Sequence, residues 1–502
     1  MWVGTCCANF GRKYVEKAIS PSRFATNTKA SARFLASFFM LGFSRPSMSS
    51  QTQPALTTPS QLSSKFKDRT AKVGIMGLGY VGLPLALLFT DERFPVTGFD
   101  VDDKKVNTLN AGESYIYRIL PAEIQNARSK GFAATSQASR IQEMDAVIIC
   151  VPTPLNEYRE PDLTYIEATG RMIAPQLRAG QLVVLESTTY PGTTEEVLVP
   201  ILEKGNKFGL KAARRGEAAD AQKSFYVAFS PEREDPGNDT IARADIPKVI
   251  GGLDETASQL AGQMYNSIFR RIVPVSTPAA AEMTKLLENI YRCVNIALVN
   301  ELKLLCLRMG IDIWEVIAAA STKPFGFHPF YPGPGLGGHC IPVDPFYLSW
   351  KAKEWDFQTR FIELAGEINT QMPYHVVSSI AMALNKHKKA MNGSKVLVLG
   401  VAYKKDIDDL RESPALTVIE RLQHEGAEVS YNDPYFPTVG KGRKYNLGMT
   451  STPLEKIKDF DCVVIITDHS DYDYKKIVHE AKLVVDSRNA TKGIKSDKIQ
   501  HC

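Results

Sequence analysis

One pattern of four short apolar strands, separated by helix-forming segments, occurs twice in this chain. The first set is Lys72–Gly77, Val96–Asp100, Asp145–Val151 and Leu182–Ser187, and the second is Lys395–Gly400, Glu428–Asp433, Asp461–Thr467 and Lys482–Ser487. Continuous apolar runs are typical of parallel strands buried on both faces, and helical stretches such as Pro84–Phe89 and Asp103–Ala111 lie between them. The sequence therefore predicts an α/β protein with two doubly wound (Rossmann-like) parallel-sheet domains.

The region between the two sets, about 278–388, is predicted to be mostly helical. Its longest periodic stretch runs from Ala279 to Met309. The apolar side chains that recur along this stretch are Leu286, Ile290, Val294, Leu298 and Leu302. Such a helix is long for a globular protein, and either a connector between domains or a dimer interface would explain it.

Positive charge is concentrated at the amino-terminal end of the 502 residues. Residues 1–70 contain ten Lys or Arg and two acids, Glu16 and Asp68, so they carry +8, and since the whole chain carries +5 the rest sums to −3. This slightly acidic remainder gives no support for a nucleic-acid partner. The apolar fraction of 44% excludes a collagen or a wholly disordered chain. No apolar run approaches the ~20 residues that span a bilayer, so no membrane partner is expected.

The first 70 residues are rich in Ser, Thr and Arg, and three interpretations of them remain open. They could be a mitochondrial-type presequence, a disordered tail, or sequence upstream of a working start at Met48. An apolar run, Leu35–Phe43, has the length of a signal-peptide core but lies far from the terminus. The composition of Thr57–Ser64 predicts a linker. We exclude the whole extension from the fold prediction.

Cysteine usage indicates a reducing compartment. The eight cysteines are Cys6, Cys7, Cys150, Cys293, Cys306, Cys340, Cys462 and Cys502. They form no CxxC pair and no Cys/His cluster with zinc spacing, so no metal site is predicted. Sparse cysteines in a long chain are typical of a reducing compartment, and we expect a cytoplasmic protein unless the extension acts as a mitochondrial presequence.

A dinucleotide-binding motif follows the first strand. The motif reads Gly77-Leu78-Gly79-Tyr80-Val81-Gly82. Its glycines permit a tight turn, close approach of a pyrophosphate and close packing of the following helix. Asp100 ends the second strand, where a carboxylate accepts from a ribose 2′-hydroxyl and repels a 2′-phosphate. The sequence therefore predicts an NAD site, with Gly77, Gly79, Tyr80, Val81, Gly82 and Asp100 as cofactor-binding residues.

The second set of strands lacks this motif. Only Gly400 stands in the corresponding place, and Val401 and Tyr403 carry side chains where the backbone would have to be bare. We expect no dinucleotide to bind there in the same way. From the pattern alone, the second domain either binds a different nucleotide or only packs.

A loop rich in Gly and Pro, Phe330–Asp344, lies between the two domains. It ends in His339 and Cys340, and Asp344 follows four residues later. A thiol beside polar groups in a ligand-shaped loop is a candidate nucleophile, whereas a buried apolar cysteine is the ordinary alternative, and the residues alone do not decide between them. Neighbouring residues of an extended chain point in opposite directions, so we expect His339 to have a structural or ligand-contact role.

These motifs together resemble the UDP-glucose/GDP-mannose dehydrogenase family, from about Lys72 to about Asn489. The segments Thr322–Phe327 and Tyr331–Tyr347 are most similar to the UDP-N-acetylglucosamine 6-dehydrogenase branch. The resemblance implies a four-electron oxidation in which a C6 hydroxyl becomes a carboxylate and two NAD⁺ become two NADH. It also implies a homodimer formed through the long central helix.

The resemblance also implies roles for individual residues. Cys340 would carry the intermediates as a thiohemiacetal and then a thioester, while Lys285 and Asn289 stabilise the oxyanion. Asp344 would act as base through a water held by Thr153, and Glu232 in thioester hydrolysis. The expected ligand contacts are Arg411 to NAD, and Tyr331, Gly337, Lys404 and Arg488 to the UDP-sugar.

The resemblance completes the domain prediction. The expected parts are an extension (1–70), an NAD-binding domain (71–277), a central helical region with the cysteine loop (278–388) and a UDP-binding domain (389–502). The leading hypothesis is the oxidation of UDP-N-acetylglucosamine. The alternatives are the same chemistry on UDP-glucose, UDP-N-acetylmannosamine or GDP-mannose, and a non-enzymatic NAD-binding sensor.

Overall fold

The computed structural model describes residues 56–116, 118–156, 158–234, 241–338, 341–442 and 445–502. All of these belong to one compact unit, Gln53–Cys502. His339 and Cys340 lie outside the described residues, and so does the extension up to residue 55.

The first half of the described chain forms one large sheet. Its strands are β1 (Val73–Met76), β2 (Val96–Phe99), β3 (Ala133–Thr135), β4 (Ala146–Ile149), β5 (Leu182–Leu185), β6 (Lys211–Ala212), β7 (Ser224–Phe229), β8 (Lys248–Gly252) and β9 (Ile272–Val275). The spatial order is β3-β2-β1-β4-β5-β7-β8-β9, with β6 pairing beside β7. Strands β1 to β5 are parallel to their neighbours, and β8 runs antiparallel to β7.

The second half forms a smaller sheet of the same design. Its strands are β10 (Lys395–Leu399), β11 (Glu428–Asn432), β14 (Cys462–Ile465), β15 (Val484–Asp486) and β16 (Ile499–His501), in the order β11-β10-β14-β15-β16. A separate hairpin joins β12 (Thr438–Lys441) and β13 (Asn446–Thr450). In the first sheet β1 lies between β2 and β4, and in the second sheet β10 lies between β11 and β14. This reversal of strand order is typical of doubly wound sheets, so the prediction of two such sheets is confirmed.

Helices cover both sheets. They are α1 (Pro59–Lys67), α2 (Gly82–Asp91), α3 (Asp103–Asn110), α4 (Pro121–Ser129), α5 (Thr164–Ile173), α6 (Val199–Gly205), α7 (Glu255–Asn266), α8 (Pro278–Met309), α9 (Ile313–Ala320), α10 (Asp344–Ala352), α11 (Arg360–Lys386), α12 (Pro414–His424) and α13 (Tyr474–Glu480). Five 3₁₀ helices occupy Ala138–Glu143, Ala174–Gln176, Arg243–Asp245, Lys353–Trp355 and Leu454–Asp459, and a π-helix occupies Thr193–Leu198. Strands β1, β4 and β5 at the centre of the first sheet are buried on both faces, as their apolar runs predict.

Helix α8 is the longest described element, with 32 residues. Thr277 caps its start by accepting from the Ala280 N–H, and Gly310 ends it at a φ of 70°. It packs along α11, where the Asn369 side chain accepts from Asn300 and donates to the Cys293 carbonyl oxygen. A stripe of exposed apolar side chains remains on α8: Met283, Leu287, Tyr291, Leu298, Leu302, Leu305 and Met309.

The prediction of a linker at Thr57–Ser64 is wrong, because most of this segment belongs to α1. Thr58 and Gln61 form a reciprocal capping box around Pro59, which favours a helix start. Leu62 and Phe66 are buried in the core of the first sheet. Ser and Thr dominate the composition here, but the spacing of the two apolar residues decides the structure.

Among the described residues, no helix is both long enough and apolar enough to cross a membrane.

Candidate active site

The turn between β1 and α2 has the geometry of a pyrophosphate cradle. Gly77 has a φ of +93°, which favours glycine, and a Cβ on Gly82 would lie 1.9 Å from the Gly77 carbonyl oxygen. A Cβ on Gly79 would meet no atom within 4 Å, so the space beside that residue is open. The three glycines therefore have the three different roles that their spacing predicts, and the residues present fit a dinucleotide.

Asp100 lies at the carboxyl end of β2, beside this turn. Its Oδ2 accepts from the Leu78 N–H at 3.0 Å, and its Oδ1 accepts from the Asp102 N–H at 3.0 Å. Lys105 Nζ lies 3.4 Å from Oδ2, which the sequence analysis did not anticipate. The carboxylate is thus fixed at the edge of the cradle where a ribose would lie, and a lysine partly balances its charge.

The second sheet repeats this arrangement with one difference. Asp433 follows β11 and accepts from the Val401 N–H at 2.6 Å and the Ala402 N–H at 3.1 Å. The buried ring of His469 places Nε2 3.1 Å from the same carboxylate oxygen, and its Nδ1 accepts from the Asp406 N–H. These contacts hold the pKa of Asp433 below its usual value although burial opposes them. The Asp433 carboxylate is therefore already hydrogen-bonded to groups of the protein itself, which agrees with the absence of a second dinucleotide motif from the sequence.

Lys285 and Asn289 lie one turn apart on α8 and face the same site. Both are buried, although the Lys285 position alone looks like a solvated helix residue. Asn289 Nδ2 donates to Asp344 Oδ2, and Lys285 Nζ donates to the Glu232 carbonyl oxygen. The i, i+4 spacing thus brings the ammonium and the amide to one side of the helix, against two carboxylate residues from other elements.

Asp344, the first residue of α10, is 1% exposed. Desolvation raises its pKa to about 7, and the Lys285 charge, the hydrogen bond from Asn289 and the Arg292 charge oppose this rise. A carboxyl group with a pKa near neutrality can take and return a proton at physiological pH. The structure therefore gives Asp344 the property that a general base needs.

Thr153 follows β4 and is held from two sides. Its hydroxyl donates to the Thr188 carbonyl oxygen at 2.6 Å, and its own carbonyl oxygen accepts from the Tyr347 hydroxyl. Tyr347 lies on α10, one turn after Asp344. The loop after β4 and the start of α10 are therefore fixed to each other beside the carboxylate.

Glu232 lies just after β7 and is enclosed by positive groups. Its Oε1 accepts from the N–H groups of Arg233 and Glu234 at 2.7 Å, and its Oε2 lies 3.5 Å from Lys248 Nζ. Desolvation acts to raise its pKa, but Lys248, Lys285 and the two N–H groups outweigh it and hold the pKa below the usual value. Glu232 is thus an ionised carboxylate, in contrast with Asp344.

The glycine-rich loop before residue 339 packs on the second domain. A Cβ on Gly337 would lie 2.5 Å from the Tyr403 Cβ, and the Gly338 N–H donates to the Arg411 carbonyl oxygen at 2.8 Å. Tyr331 is 56% exposed and stacks on Trp314, with ring centroids 5.9 Å apart. The loop is therefore shaped by close backbone contacts.

Three basic residues of the second domain were predicted to contact ligands. Arg411 lies over the Tyr80 ring of the glycine-rich turn, with Cζ 5.0 Å from the ring centroid, and Asp409 holds its guanidinium in a bidentate pair. Arg488 follows β15, with Nε 3.4 Å from Asp468. Lys404 is half-buried in the loop after β10. Arg411 thus connects the second domain to the NAD cradle, and the three ligand roles stay predictions.

The predicted nucleophile Cys340 and its neighbour His339 lie outside the described residues, so both roles stay predictions. Among the described cysteines, Cys150, Cys293, Cys462 and Cys502 are buried, and Cys306 is partly exposed. In the same described ranges, no group of three His, Cys, Asp or Glu side chains could hold a metal ion.

The structure brings further residues to the site that the sequence analysis missed. Arg292, on the next turn of α8, donates to Asn289 Oδ1. Glu186 and Lys248 form a buried ion pair beside Glu232. The sequence could have indicated Glu186, since this carboxylate lies at the end of a predicted buried strand, as Asp100 does.

Three comparisons with known proteins agree with this geometry. Residues 71–269, 279–371 and 397–493 match the NAD binding, central and UDP binding domains of the UDP-glucose/GDP-mannose dehydrogenase family. The chain is 34% identical over 80% of its length to a UDP-N-acetyl-D-glucosamine 6-dehydrogenase of Pseudomonas aeruginosa, covering 91% of that protein. It is 36% identical over 84% of its length to a UDP-N-acetyl-D-mannosamine dehydrogenase of Pyrococcus horikoshii, covering 96% of it. A solved UDP-D-ManNAc dehydrogenase structure from Pyrococcus horikoshii has a TM-score of 0.76 at 32% identity, covering 86% of this chain and 98% of that one.

Proposed function

The chain belongs to the UDP-glucose/GDP-mannose dehydrogenase family, and we propose that it oxidises the C6 hydroxyl of UDP-N-acetylglucosamine to the carboxylate. As a member of this family it is an NAD-dependent UDP-sugar dehydrogenase, and its cofactor is NAD. The choice of sugar rests on Thr322–Phe327 and Tyr331–Tyr347, which are most similar to the N-acetylglucosamine branch, and on the Pseudomonas aeruginosa relative.

The observation that carries the proposed chemistry is the convergence of Lys285, Asn289 and Asp344. These side chains come from two helices: Asn289 donates to Asp344, and Lys285 donates to the carbonyl oxygen of Glu232. Glu232 follows β7 at the carboxyl edge of the first sheet, where ligands of doubly wound folds bind. One donor pair and one carboxyl group with a pKa of about 7 provide an oxyanion site and a base in the same place.

NAD supplies the hydride acceptor when it is bound. The glycine-rich turn would hold its pyrophosphate and Asp100 its ribose, and Arg411 over Tyr80 would close the cradle from the second domain. Thr153 would orient a water through which Asp344 takes the proton of the C6 hydroxyl. Lys285 and Asn289 would stabilise the negative charge on the sugar oxygen as that proton leaves.

Cys340 would hold the sugar between the two oxidations. Its thiolate would add to the C6 aldehyde, whose oxygen takes up a proton to give a thiohemiacetal. Loss of the C6 hydride to a second NAD⁺ and of the hydroxyl proton would leave a thioester. Water then attacks the thioester carbonyl, Glu232 takes the water proton, the carbon–sulfur bond breaks, and the thiolate returns. A thiolate must stay reduced for this role, so we propose a reducing compartment such as the cytoplasm.

We further propose a homodimer through α8. The exposed stripe from Met283 to Met309 follows helical spacing over most of the helix, which is typical of a helix that packs on a partner. A second copy of the chain is the occupant that the family resemblance implies. Size-exclusion chromatography with light scattering tests this, since a monomer would contradict it and Leu298→Glu should convert a dimer to a monomer.

A turnover assay tests the proposed reaction. Purified protein is incubated with NAD⁺ and either UDP-N-acetylglucosamine, UDP-N-acetylmannosamine, UDP-glucose or GDP-mannose, and NADH is counted per sugar consumed. Two NADH per UDP-N-acetylglucosamine is the expected result. One NADH per sugar would contradict the thioester, and absence of turnover with every sugar would favour a sensor.

UDP-N-acetylmannosamine is a second candidate substrate. Relatives named for that sugar are 35–36% identical to this chain, which is as similar as the N-acetylglucosamine relative. A kcat/KM higher for UDP-N-acetylmannosamine than for UDP-N-acetylglucosamine would replace the proposed sugar and leave the proposed chemistry intact.

A further inference from the structure

Two buried charges beside Glu232 have no part in the reaction as proposed. Glu186 is the residue after β5 and is 1% exposed, and Lys248 is the first residue of β8 and is 2% exposed. Lys248 Nζ lies 3.0 Å from Glu186 Oε1 and 3.5 Å from Glu232 Oε2. These three residues form a charge triad, carboxylate–ammonium–carboxylate, at the carboxyl edge of the sheet.

The ammonium group of Lys248 is enclosed by aromatic rings and carboxylates. It lies 5.1 Å from the Tyr265 ring centroid and 5.2 Å from that of Phe269, and the Tyr265 hydroxyl donates to Glu186 Oε1. A lysine enclosed by two rings and two carboxylates cannot swing away, so the position of its charge is fixed. The antiparallel pairing of β8 with β7 brings it beside Glu232.

We propose that Lys248 is the positioning residue of Glu232, and that the Glu186 carboxylate opposes the effect of Lys248 on Glu232, so that the charge triad sets the pH range over which the thioester is hydrolysed. The proposal rests on the proposed function, in which Glu232 is the base for that step. Two N–H groups of its own segment hold Glu232 Oε1, so Lys248 is the group that fixes Oε2. Oε2 is therefore the atom that takes the proton.

The charges around Glu232 determine the sign of each effect. Lys248 and Lys285 favour the ionised form of Glu232, while the Glu186 and Glu232 carboxylates repel each other, so Glu186 disfavours it. Glu186 also stabilises the Lys248 ammonium by pairing with it. The Cys150 thiol lies 4.0 Å from Glu186 Oε2, and burial raises its pKa well above the usual value, so it stays neutral. The titratable and charged groups that face the triad from the packed elements are Cys150, Glu186, Glu232, Lys248, Tyr265 and Lys285.

The experiment separates hydrolysis from oxidation. Enzyme, NAD⁺ and UDP-N-acetylglucosamine are mixed and quenched at intervals between pH 3 and 9, and the acyl-enzyme is quantified by intact mass. The range extends to pH 3 because the pKa of Glu232 lies below its usual value. The rate of its decay against pH gives the acidic limb of hydrolysis. Lys248→Met should accumulate acyl-enzyme and move this limb up by about 1 pH unit or more, because loss of a nearby opposite charge raises a carboxyl pKa by that amount.

Glu186→Gln should move the acidic limb in the opposite direction. Gln still accepts from Tyr265, and the negative charge that repels the Glu232 carboxylate is removed. A merely structural role would slow both variants without opposite shifts, so shifts of the same sign, or no shift, overturn the proposal. If Lys248→Met fails to fold, the downward shift of Glu186→Gln decides, and its absence overturns the proposal.

Matched controls exist in the chain. Lys351 is also buried and has Glu196 at 2.7 Å, Glu354 at 2.8 Å and the Tyr190 ring at 5.1 Å, but it lies near the end of α10. Lys351→Met should leave the pH profile of hydrolysis unchanged. A burst of two NADH per subunit in Lys248→Met shows that both oxidations survive, whereas no NADH from the wild-type protein would refute the proposed function instead.

Discussion

Asp344 offers a test in which stability and activity change in opposite directions. Replacement by Asn keeps the size of the side chain and an oxygen that accepts from Asn289, but removes the ionisable group. The folded pKa is about 7 and the ordinary value 3.8, so the ionised form costs the fold about 4 kcal/mol relative to the unfolded chain. We expect Asp344→Asn to lose C6 oxidation and to be more stable than the wild type above neutral pH.

The sign of the pH dependence follows from proton binding. Between about pH 4 and pH 7 the folded protein keeps the Asp344 proton and the unfolded chain does not, so wild-type stability falls as the pH rises through this range. The variant lacks this titration. Its advantage in free energy of unfolding should therefore widen by about 2–3 kcal/mol between pH 5 and pH 8.

Urea unfolding followed by tryptophan fluorescence at pH 5, 6, 7 and 8 measures this difference. Asp433→Asn is the matched control, because the folded pKa of Asp433 lies below its usual value and His469 pairs with it. That variant should instead lose stability at neutral pH, and the loss should shrink as the pH falls. Parallel stability curves for the wild type and Asp344→Asn would refute the reasoning about desolvation.

Three further predictions concern the cofactor site. Gly82→Ala places a Cβ 1.9 Å from a backbone carbonyl oxygen, so calorimetry should show loss of NAD binding with UDP binding retained. Arg411→Ala removes the cation over Tyr80 and should raise the KM for NAD by about 5- to 30-fold, on a contact of about 1–2 kcal/mol, while Arg411→Lys recovers part of it. Asp100→Ser should free Lys105 for a 2′-phosphate and improve kcat/KM for NADP by about 10-fold or more, and Asp100→Ser with Lys105→Ala should not.

Local spacing predicted a large part of this site. The glycine motif depends only on residues within a few positions of one another, and the backbone geometry of a turn places them. The Lys285–Asn289 pair was implied by the family resemblance, and its i, i+4 spacing then places both residues on one side of the helix. Seven of the eight apolar strand segments were predicted for the same reason, since burial on both faces leaves a local signature, and the eighth, β11, is only partly buried.

The contacts that could not be predicted join distant residues. Lys248 meets Glu186 and Glu232 because β8 pairs antiparallel with β7, and no local pattern specifies that pairing. His469 follows β14 and Asp433 follows β11, and the two residues meet across 36 positions of sequence because both strands pair with β10. The pairing of strands depends on the packing of the whole sheet. The sequence can therefore predict that a polar residue lies at the end of its own strand, but not which side chain from another strand it contacts.

Because α8 is long and contacts both nucleotide-binding domains, the number of residues between those contacts sets the angle between the domains. One end carries Lys285 and Asn289 of the proposed active site, and Lys303, five turns later, donates to the Ser487 carbonyl oxygen at the end of β15. Each residue turns an α-helix by about 100°. A single deletion between these points would leave both nucleotide domains folded and turn one away from the other, whereas a deletion of seven residues would nearly restore the angle and shorten the reach by about 10 Å. The register of α8 therefore sets the angle between the two nucleotide-binding domains, and with it whether a sugar bound through its nucleotide in the second domain would reach the cofactor site of the first.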